Sequence, residues 1–464
     1  MTDSTTLIKN YNRARLAEVD TRPINDGSAP RWLDWLMNVD ETFWLSPFQH
    51  QIDGVNHFLK SDGRMMLAWE MGSGKTAGAA LIMKAVNAGP TVIFSPASLM
   101  LQHKSELHRI FGGDKEIVIF KDSIDVEYPH HSIVLVSYHR TKRFKEYIKT
   151  LSFRFEFAVL DESTYIKNHK AKRTKDIEAM LETIPMVLML TGTPIINRPV
   201  DLFTQFRIAA PHTFKDWWKF TRRYCNGRQG PFGYLSDGLT NAGELSSLVK
   251  PLMHRVRKQD CLDLPEKIRT QVPVQIKPKQ YIDWQEEVQD LGLQKAEKAY
   301  EWLTNWLEYS APDEKIVVFG RHVEVVKSLH AREYKNTSTS LITGDTTQRE
   351  HEIERFRQGN RILFMTIGAG GLGLNLQFAS NMLFVEMSFS PMEMLQAEDR
   401  IHRAGMRGGA NYYYMISRYT YDENLFRGLT RKYAMANQVV DGITDPDENI
   451  FAEIMSQSYK GKAL

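Results

Sequence analysis

In Glu70-Met71-Gly72-Ser73-Gly74-Lys75-Thr76, two glycines alternate with a serine and run directly into a Lys-Thr pair. Glycine adopts left-handed backbone without steric cost, so such a segment can fold its N–H groups around an anion. The Lys75 ammonium can then reach a β- or γ-phosphate, and the Thr76 hydroxyl is a ligand for Mg²⁺. A second chemical pair is Asp161-Glu162. One carboxylate can hold Mg²⁺ through water while its neighbour orients and deprotonates an attacking water. Upstream, Gln51 offers a donor and an acceptor together, as an adenine edge requires; Gln49 is the alternative. A Thr191-Gly192-Thr193-Pro194 turn can sense nucleotide state through its hydroxyls.

These groups need elements to carry them. Arg64 to Trp69 is an apolar run of strand length, and Ala77 to Val86 has the alanine content and apolar spacing of a helix. The helix would aim the positive end of its dipole at the phosphate. Trp69 stands where the strict form of the loop carries glycine. Further apolar runs at 91–95, 117–120, 133–137, 157–161 and 187–191 alternate with helical segments. That pattern predicts a parallel α/β sheet covered on both faces, with its chemistry at the carboxyl ends of the strands. Ser95-Pro96, Asp161-Glu162 and Thr191–Pro194 all stand at such ends.

The alternation breaks over 198–312, which carries Trp217, Trp218, Arg222, Arg223, a glycine-rich span from Asn226 to Gly243, and long amphipathic segments. It returns at 315–320, 340–343, 362–366, 382–386 and 412–416, a second parallel lobe without its own phosphate loop. There Gly371 and Gly373 lie in a glycine turn suited to close approach of a ligand. Gln396, Arg400 and Arg403 follow at helical spacing, which predicts one shared face. Planar guanidiniums suit bidentate phosphate contact.

The 464 residues, 42% hydrophobic and 25% charged, suit two large globular domains with extensions. The expected division is an N-terminal extension (1–40), a first parallel α/β lobe with the phosphate loop (41–197), helical insertions and a connection (198–312), a second parallel α/β lobe (313–430) and a helical tail (431–464). A net charge of +3 leaves any nucleic-acid binding to local clusters. Two such runs are Lys167, Lys170, Lys172, Arg173 and Lys175, and Arg140, Lys142, Arg143 and Lys145; each suits either a solvated face or tracking of a phosphate backbone. Two cysteines allow no disulfide framework and no four-cysteine zinc site. With no membrane-length apolar run and no signal-peptide pattern, the expectation is a cytoplasmic protein, bacterial or in the host cytoplasm if phage-encoded, monomeric in isolation.

In this order the motifs resemble those of the Swi/Snf-type ATPases of helicase superfamily two: Gln51, Glu70–Thr76, Ser95-Pro96, Asp161-Glu162, Thr191–Pro194, Gly370–Leu376 and Gln396–Gly405. The finer likeness is to the HepA-related annealing-helicase branch, carried by Asp161-Glu-Ser163, Ile166-Lys-Asn168, Arg198-Pro199, Arg223-Tyr-Cys225, Glu244-Leu245 and Leu264-Pro265. The resemblance implies two RecA-like lobes sharing an ATP and Mg²⁺ site. Lys75, Asp161, Glu162, Arg400 and Arg403 would be catalytic, the arginines acting across the cleft. Gln51, Glu70, Met71, Gly72, Ser73, Gly74, Lys75, Thr76, Gly371, Gly373 and Gln396 would bind nucleotide, and Thr76 and Asp161 would bind metal. It also implies duplex or branched DNA as the partner, translocated without sequence readout and remodelled by annealing, branch migration or fork reversal. A strand-separating DNA or RNA helicase and the motor subunit of a larger DNA-remodelling or restriction complex are the alternatives. Thr164, His103 and Met406 depart from the family pattern, where His, Trp and Gln are usual.

Overall fold

The structure is a computed structural model describing residues 4–19, 47–276, 279, 281, 283–370, 374–403, 406, 408–443 and 449–457. Gly371 and Gly373 therefore lie outside the described residues. The chain folds as two compact units, Met1–Leu262 with Gln438–Gly442, and Asp263–Asn437 with Ile443–Leu464.

In the first unit, the strands are β1 (Arg64–Trp69), β2 (Thr91–Ser95), β3 (Glu116–Ile119), β4 (Ser132–Ser137), β5 (Phe157–Asp161), β6 (Met186–Leu190), the short pair β7 (Arg228–Gly230) and β8 (Gly233–Leu235), and β9 (Met253–Val256). All but β7 and β8 form one sheet in the order β3-β4-β2-β5-β6-β1-β9. Every pairing in it is parallel. β2, β4, β5 and β6 are buried along their whole length. Helices on both faces leave no polar side to such strands, hence the continuous apolar runs.

The second unit holds β10 (Lys267–Val274), β11 (Ile316–Gly320), β12 (Thr339–Ile342), β13 (Ile362–Thr366), β14 (Asn381–Phe384) and β15 (Ala410–Ser417). These form a second parallel sheet in the order β10-β15-β14-β11-β13-β12. The range 198–312 thus contributes more than insertions, since β9 edges the first sheet and β10 the second. The long amphipathic stretch before β11 is one helix, Trp284–Tyr309. It starts at Asp283, whose side chain accepts the Gln285 N–H.

Candidate nucleotide-binding site

In the first sheet β5, β6 and β1 are neighbours, so their carboxyl ends deliver Asp161, Thr191 and the 70–76 loop side by side. Gly72 and Gly74 hold φ of +84° and +78°, and Gly74 caps the helix Lys75–Ala85. The loop closes on itself: the Ser73 N–H and Oγ donate to the Glu70 carbonyl at 3.3 and 2.6 Å. The Lys75 ammonium donates to the carbonyls of Trp69 at 3.0 Å and Glu70 at 3.4 Å. A cation resting on two main-chain carbonyls can exchange them for phosphate oxygens, so the donor set fits a nucleotide phosphate. Met71, Lys75 and Thr76 are half-buried beside it.

Trp69 explains its own departure from glycine. Its ring is wholly buried. A Cβ at Gly54 or Gly78 would come within 2.5 or 2.4 Å of ring carbons, so those two glycines make room for the indole. Trp69 Nε1 donates to His254 Nδ1 at 2.9 Å. Burial, helped by the neighbouring His57, lowers the His254 pKa to about 4, which keeps the acceptor lone pair available at neutral pH.

Of the two glutamines, Gln51 is the one turned to the loop. It donates to the Gly74 carbonyl at 3.3 Å and accepts the Phe48 N–H at 3.1 Å. Gln49 instead bonds Asp53 at 3.0 Å. Beside Gln51, the His50 ring donates from Nε2 to the Ser73 carbonyl at 2.8 Å.

At the end of β5 the Asp161 carboxylate is buried. It accepts from His103 Nε2 at 2.8 Å and lies 3.4 Å from Ser95 Oγ. Burial opposes charge on His103, but the bond and proximity to Asp161 outweigh it and its pKa is raised. His103, met in the sequence only as a departure from the family, is thus the residue that holds the carboxylate in place. Tyr138 OH donates to the Asp161 carbonyl at 2.7 Å. Glu162 sits at φ +49°, a left-handed conformation costing roughly 1 kcal/mol in a residue with a Cβ. That strain turns the chain sharply off the strand. Gly192 lies against the loop: its Cβ would stand 3.3 Å from the Trp69 carbonyl oxygen and 3.4 Å from the Met71 nitrogen.

Sequence reasoning missed Arg255, on β9. It donates to the carbonyls of Ala68 at 3.1 Å and Gly192 at 3.2 Å, to Glu70 Oε1 at 2.9 Å and to Asp441 Oδ1 at 2.7 Å. Both the strand leading into the phosphate loop and the Thr-Gly-Thr-Pro turn hang on this one guanidinium.

In the second unit the helix carrying Gln396 runs only from Pro391 to Glu398. Arg400 and Arg403 come from the turn beyond it, so the expected single helical face is not formed. The Arg400 and Ile401 N–H groups bond back three residues, to Ala397 at 3.1 Å and Glu398 at 3.3 Å. Glu398 explains the stop. Fully buried, it accepts from Arg269 at 2.7 Å on each oxygen, from Lys267 at 3.1 Å and from Tyr414 OH at 2.5 Å. Burial raises its pKa, but the two cations prevail and hold it at about 2. Lys267 also bonds Asp399 at 2.8 Å, and Arg403 Nε donates to the Asp399 carbonyl at 3.2 Å. The turn is therefore anchored to β10 through buried charge.

Comparison with known proteins identifies the family. A SNF2-related domain is matched over residues 50–318 and a helicase conserved C-terminal domain over residues 295–405. The SWI/SNF-related matrix-associated actin-dependent regulator of chromatin subfamily A-like protein 1 homolog of Caenorhabditis elegans is 31% identical over 451 residues, covering 89% of this chain and 64% of that protein. The DNA annealing helicase and endonuclease ZRANB3 of Mus musculus is 28% identical over 440 residues, covering 86% of this chain and 41% of that protein. The chain thus spans less than two thirds of the length of either relative. Among solved structures, the SWI2/SNF2 ATPase core of Sulfolobus solfataricus in complex with dsDNA superposes with a TM-score of 0.43 at 20% identity, covering 85% of this chain and 94% of that one. With more than half of its length matched by the SNF2-related domain, the chain belongs to the SNF2-related family of helicase-type ATPases.

Proposed function

We propose that this protein is a DNA-dependent ATPase that translocates on duplex or branched DNA and remodels it by annealing, branch migration or fork reversal. The observation that carries the reading is the delivery of Lys75, Asp161 and Thr191 by three adjacent parallel strands. Likeness to a DNA annealing helicase supports the choice of substrate and outcome.

On this reading Gln51 reads the base and the 70–76 backbone cradles the phosphates. Lys75 leaves its two carbonyls for the β/γ-oxygens. Glu162 takes a proton from the attacking water. Thr76 and Asp161 would hold Mg²⁺, which supplies charge neutralisation across the phosphate oxygens. Arg400 and Arg403 supply positive charge that matters most in the transition state, an effect worth roughly 10³–10⁵ in rate where such arginines act. Gln396, Gly371 and Gly373 complete the nucleotide contacts.

For DNA, the two basic runs separate. Arg140 and Arg143 pair with Asp122 at 3.2 and 2.7 Å, and Lys145 pairs with Asp176 at 3.0 Å. In the other run, Lys170, Lys172 and Lys175 are exposed. The Arg173 guanidinium lies over the Tyr138 and Tyr165 rings, 5.9 and 5.4 Å from their centroids. We assign phosphate tracking to the three lysines and a packing role to Arg173. Among the described residues no helix is long and apolar enough to cross a membrane. We assign the protein to a reducing compartment with access to DNA, the cytoplasm of a bacterium or of a phage-infected host, acting as a monomer.

The test is ATP turnover with single-stranded, linear duplex and forked DNA and with RNA, beside strand products from a mobile four-way junction and a tailed partial duplex. Stimulation by duplex and forked DNA with junction migration is expected. Efficient displacement of the tailed strand with no processing of the junction would favour a strand-separating helicase instead.

A further inference from the structure

The first unit carries a small aromatic subdomain that the nucleotide site does not use. β7 and β8 pair antiparallel with Gly230 opposite Gly233, so Pro231 and Phe232 form a two-residue turn. Two-residue hairpins favour Asn-Gly or a leading glycine, because their turns need positive φ. Proline fixes φ near −65° at the first turn position, and the glycine that tolerates positive φ follows the turn instead. That glycine is Gly233, at φ +129°. Phe232 gains nothing from burial in return: it is fully exposed, at 105% of the reference area. Pro231 and Gly233 meet the needs of the turn, so neither local folding nor burial calls for a phenylalanine between them, which leaves display of the ring as its reason.

The base of the hairpin is stiff. Tyr234 on β8 packs edge-on against Trp218 at 4.8 Å and lies 5.6 Å from Trp217, and its hydroxyl meets Thr221 Oγ1 at 3.0 Å. Gly227 is closed in, since a Cβ there would fall 2.1 Å from the Tyr234 hydroxyl. Arg228 pairs with Asp237 at 3.2 Å, and the return strand is tied by Gly238 N–H to the Cys225 carbonyl at 3.2 Å. The same base joins the lysine stretch. The His169 ring is 4.8 Å from Trp217, and Lys170 Nζ stands 5.9 Å from that ring's centroid. On the helix Trp217–Tyr224, Trp218 is half-exposed with Lys219 and Arg222 exposed beside it.

We infer that the hairpin Arg228–Leu235 is a pin that engages branched DNA, with Phe232 stacking on a base where paired strands part. An exposed ring at the tip, with Lys170, Lys219 and Arg222 at the base of the hairpin, matches nucleic acid, in which every base offers a π-face and every link a phosphate. The inference rests on the proposed DNA-remodelling function and names the branch point as what this subdomain recognises.

The experiment compares wild type, Phe232→Ala and Phe232→Trp, each checked for an unchanged melting temperature. Three readouts are taken: ATP turnover on linear duplex, migration of a mobile four-way junction, and fluorescence of 2-aminopurine placed at the branch. Phe232→Ala should slow junction migration about tenfold, equivalent to about 1.4 kcal/mol and within the range of one base–aromatic stack, with less than a twofold change in turnover on linear duplex. Phe232→Trp should restore migration, and the quenching of 2-aminopurine seen with wild type should be absent only in the alanine variant. Equal migration by wild type and Phe232→Ala would overturn the pin and leave the tip to a protein partner. A parallel loss of turnover on linear duplex would overturn it too, placing Phe232 in general DNA binding. Wild type that migrates no junction while hydrolysing ATP on duplex would refute the remodelling reading itself.

Discussion

Arg255 Nη2 donates to Glu70 Oε1 at 2.9 Å while the main-chain N–H of Lys258 donates to Glu70 Oε2 at 2.9 Å, so both oxygens of this carboxylate are held by the segment at the far edge of the sheet. Glu70 opens the phosphate loop, and its carbonyl is one of the two on which Lys75 rests. Burial disfavours the Arg255 charge, but Asp441 and Glu70 together raise its pKa. Arg255→Ala should lower kcat/KM for ATP by about 10–100-fold, or about 1.4–2.7 kcal/mol. Arg255→Lys should rescue little, because an ammonium cannot serve two carboxylates and two carbonyls in one plane. Steady-state turnover at saturating DNA measures this. Wild-type kcat/KM in Arg255→Ala would show that the loop needs no such anchor.

Lys75→Ala should abolish ATP turnover and leave duplex affinity within about threefold, because the phosphate cradle and the exposed lysines of 167–175 are separate surfaces. Glu162→Gln keeps the shape of the site but removes the proposed base, so it should retain bound ATP while turnover falls. Titration of labelled duplex and rapid filtration of labelled ATP measure the two effects. Loss of duplex affinity in step with turnover in Lys75→Ala would contradict the assignment.

Arg403→Ala should cut kcat far more than it weakens nucleotide binding, as expected of a charge used in the transition state. Arg269→Ala should resemble it at a distance and also destabilise the fold. It leaves the fully buried Glu398 short of a partner, a loss of roughly 3–5 kcal/mol when a buried ion pair is broken. Denaturation and ATP kinetics on both variants separate the effects: Arg403→Ala should be stable and slow, Arg269→Ala both unstable and slow.

The sheets were legible because strands buried on both faces must be continuously apolar, and the runs at 91–95, 157–161 and 362–366 match β2, β5 and β13 in every residue. The places of the Lys75 loop and Asp161 at strand ends were legible because each directly follows an apolar run in the sequence. Arg255 was not, since its partner Glu70 lies 185 residues away and an arginine on a short strand reads as an edge residue. The helix end at Glu398 was hidden for the same reason. Spacings of four and three between Gln396, Arg400 and Arg403 permit a helix, and what ends it is a buried pairing with Arg269, 129 residues distant. The hairpin at 228–235 was marked only by the Gly230-Pro231 dipeptide inside a glycine-rich span, because strands of three residues are too short to show an alternating pattern.

His254 predicts a pH dependence of stability. Its folded pKa of about 4 is below the unfolded value near 6.5, so between these limits the unfolded chain binds the extra proton. The stability tied to neutral His254 is therefore complete above about pH 6.5 and is lost as pH falls toward about 4, on the order of 2–3 kcal/mol in all. Trp69 fluorescence should report it, because protonation at Nδ1 removes the acceptor of the indole N–H. His254→Gln should flatten the profile between pH 6.5 and 4. A variant with the wild-type slope would assign the acid sensitivity to other groups.

The lysines of the 167–175 run give the last prediction. Lys170 and Lys172 are exposed, whereas Arg173 is stacked on two tyrosines, one of which holds the Asp161 carbonyl. Replacing Lys170 and Lys172 by glutamine should weaken duplex binding equally across sequences. It should also flatten the log–log salt dependence by about 0.9 for each phosphate no longer neutralised, hence up to about 1.8 for the pair. Arg173→Gln should instead leave the salt slope unchanged and lower DNA-stimulated turnover, because it loosens the Tyr138–Tyr165 stack beside the Asp161 strand end. Binding isotherms over a range of salt concentrations for the double variant and for Arg173→Gln separate the two roles. A slope that falls only in Arg173→Gln would reverse them, making the arginine the phosphate ligand and the lysines a solvated face.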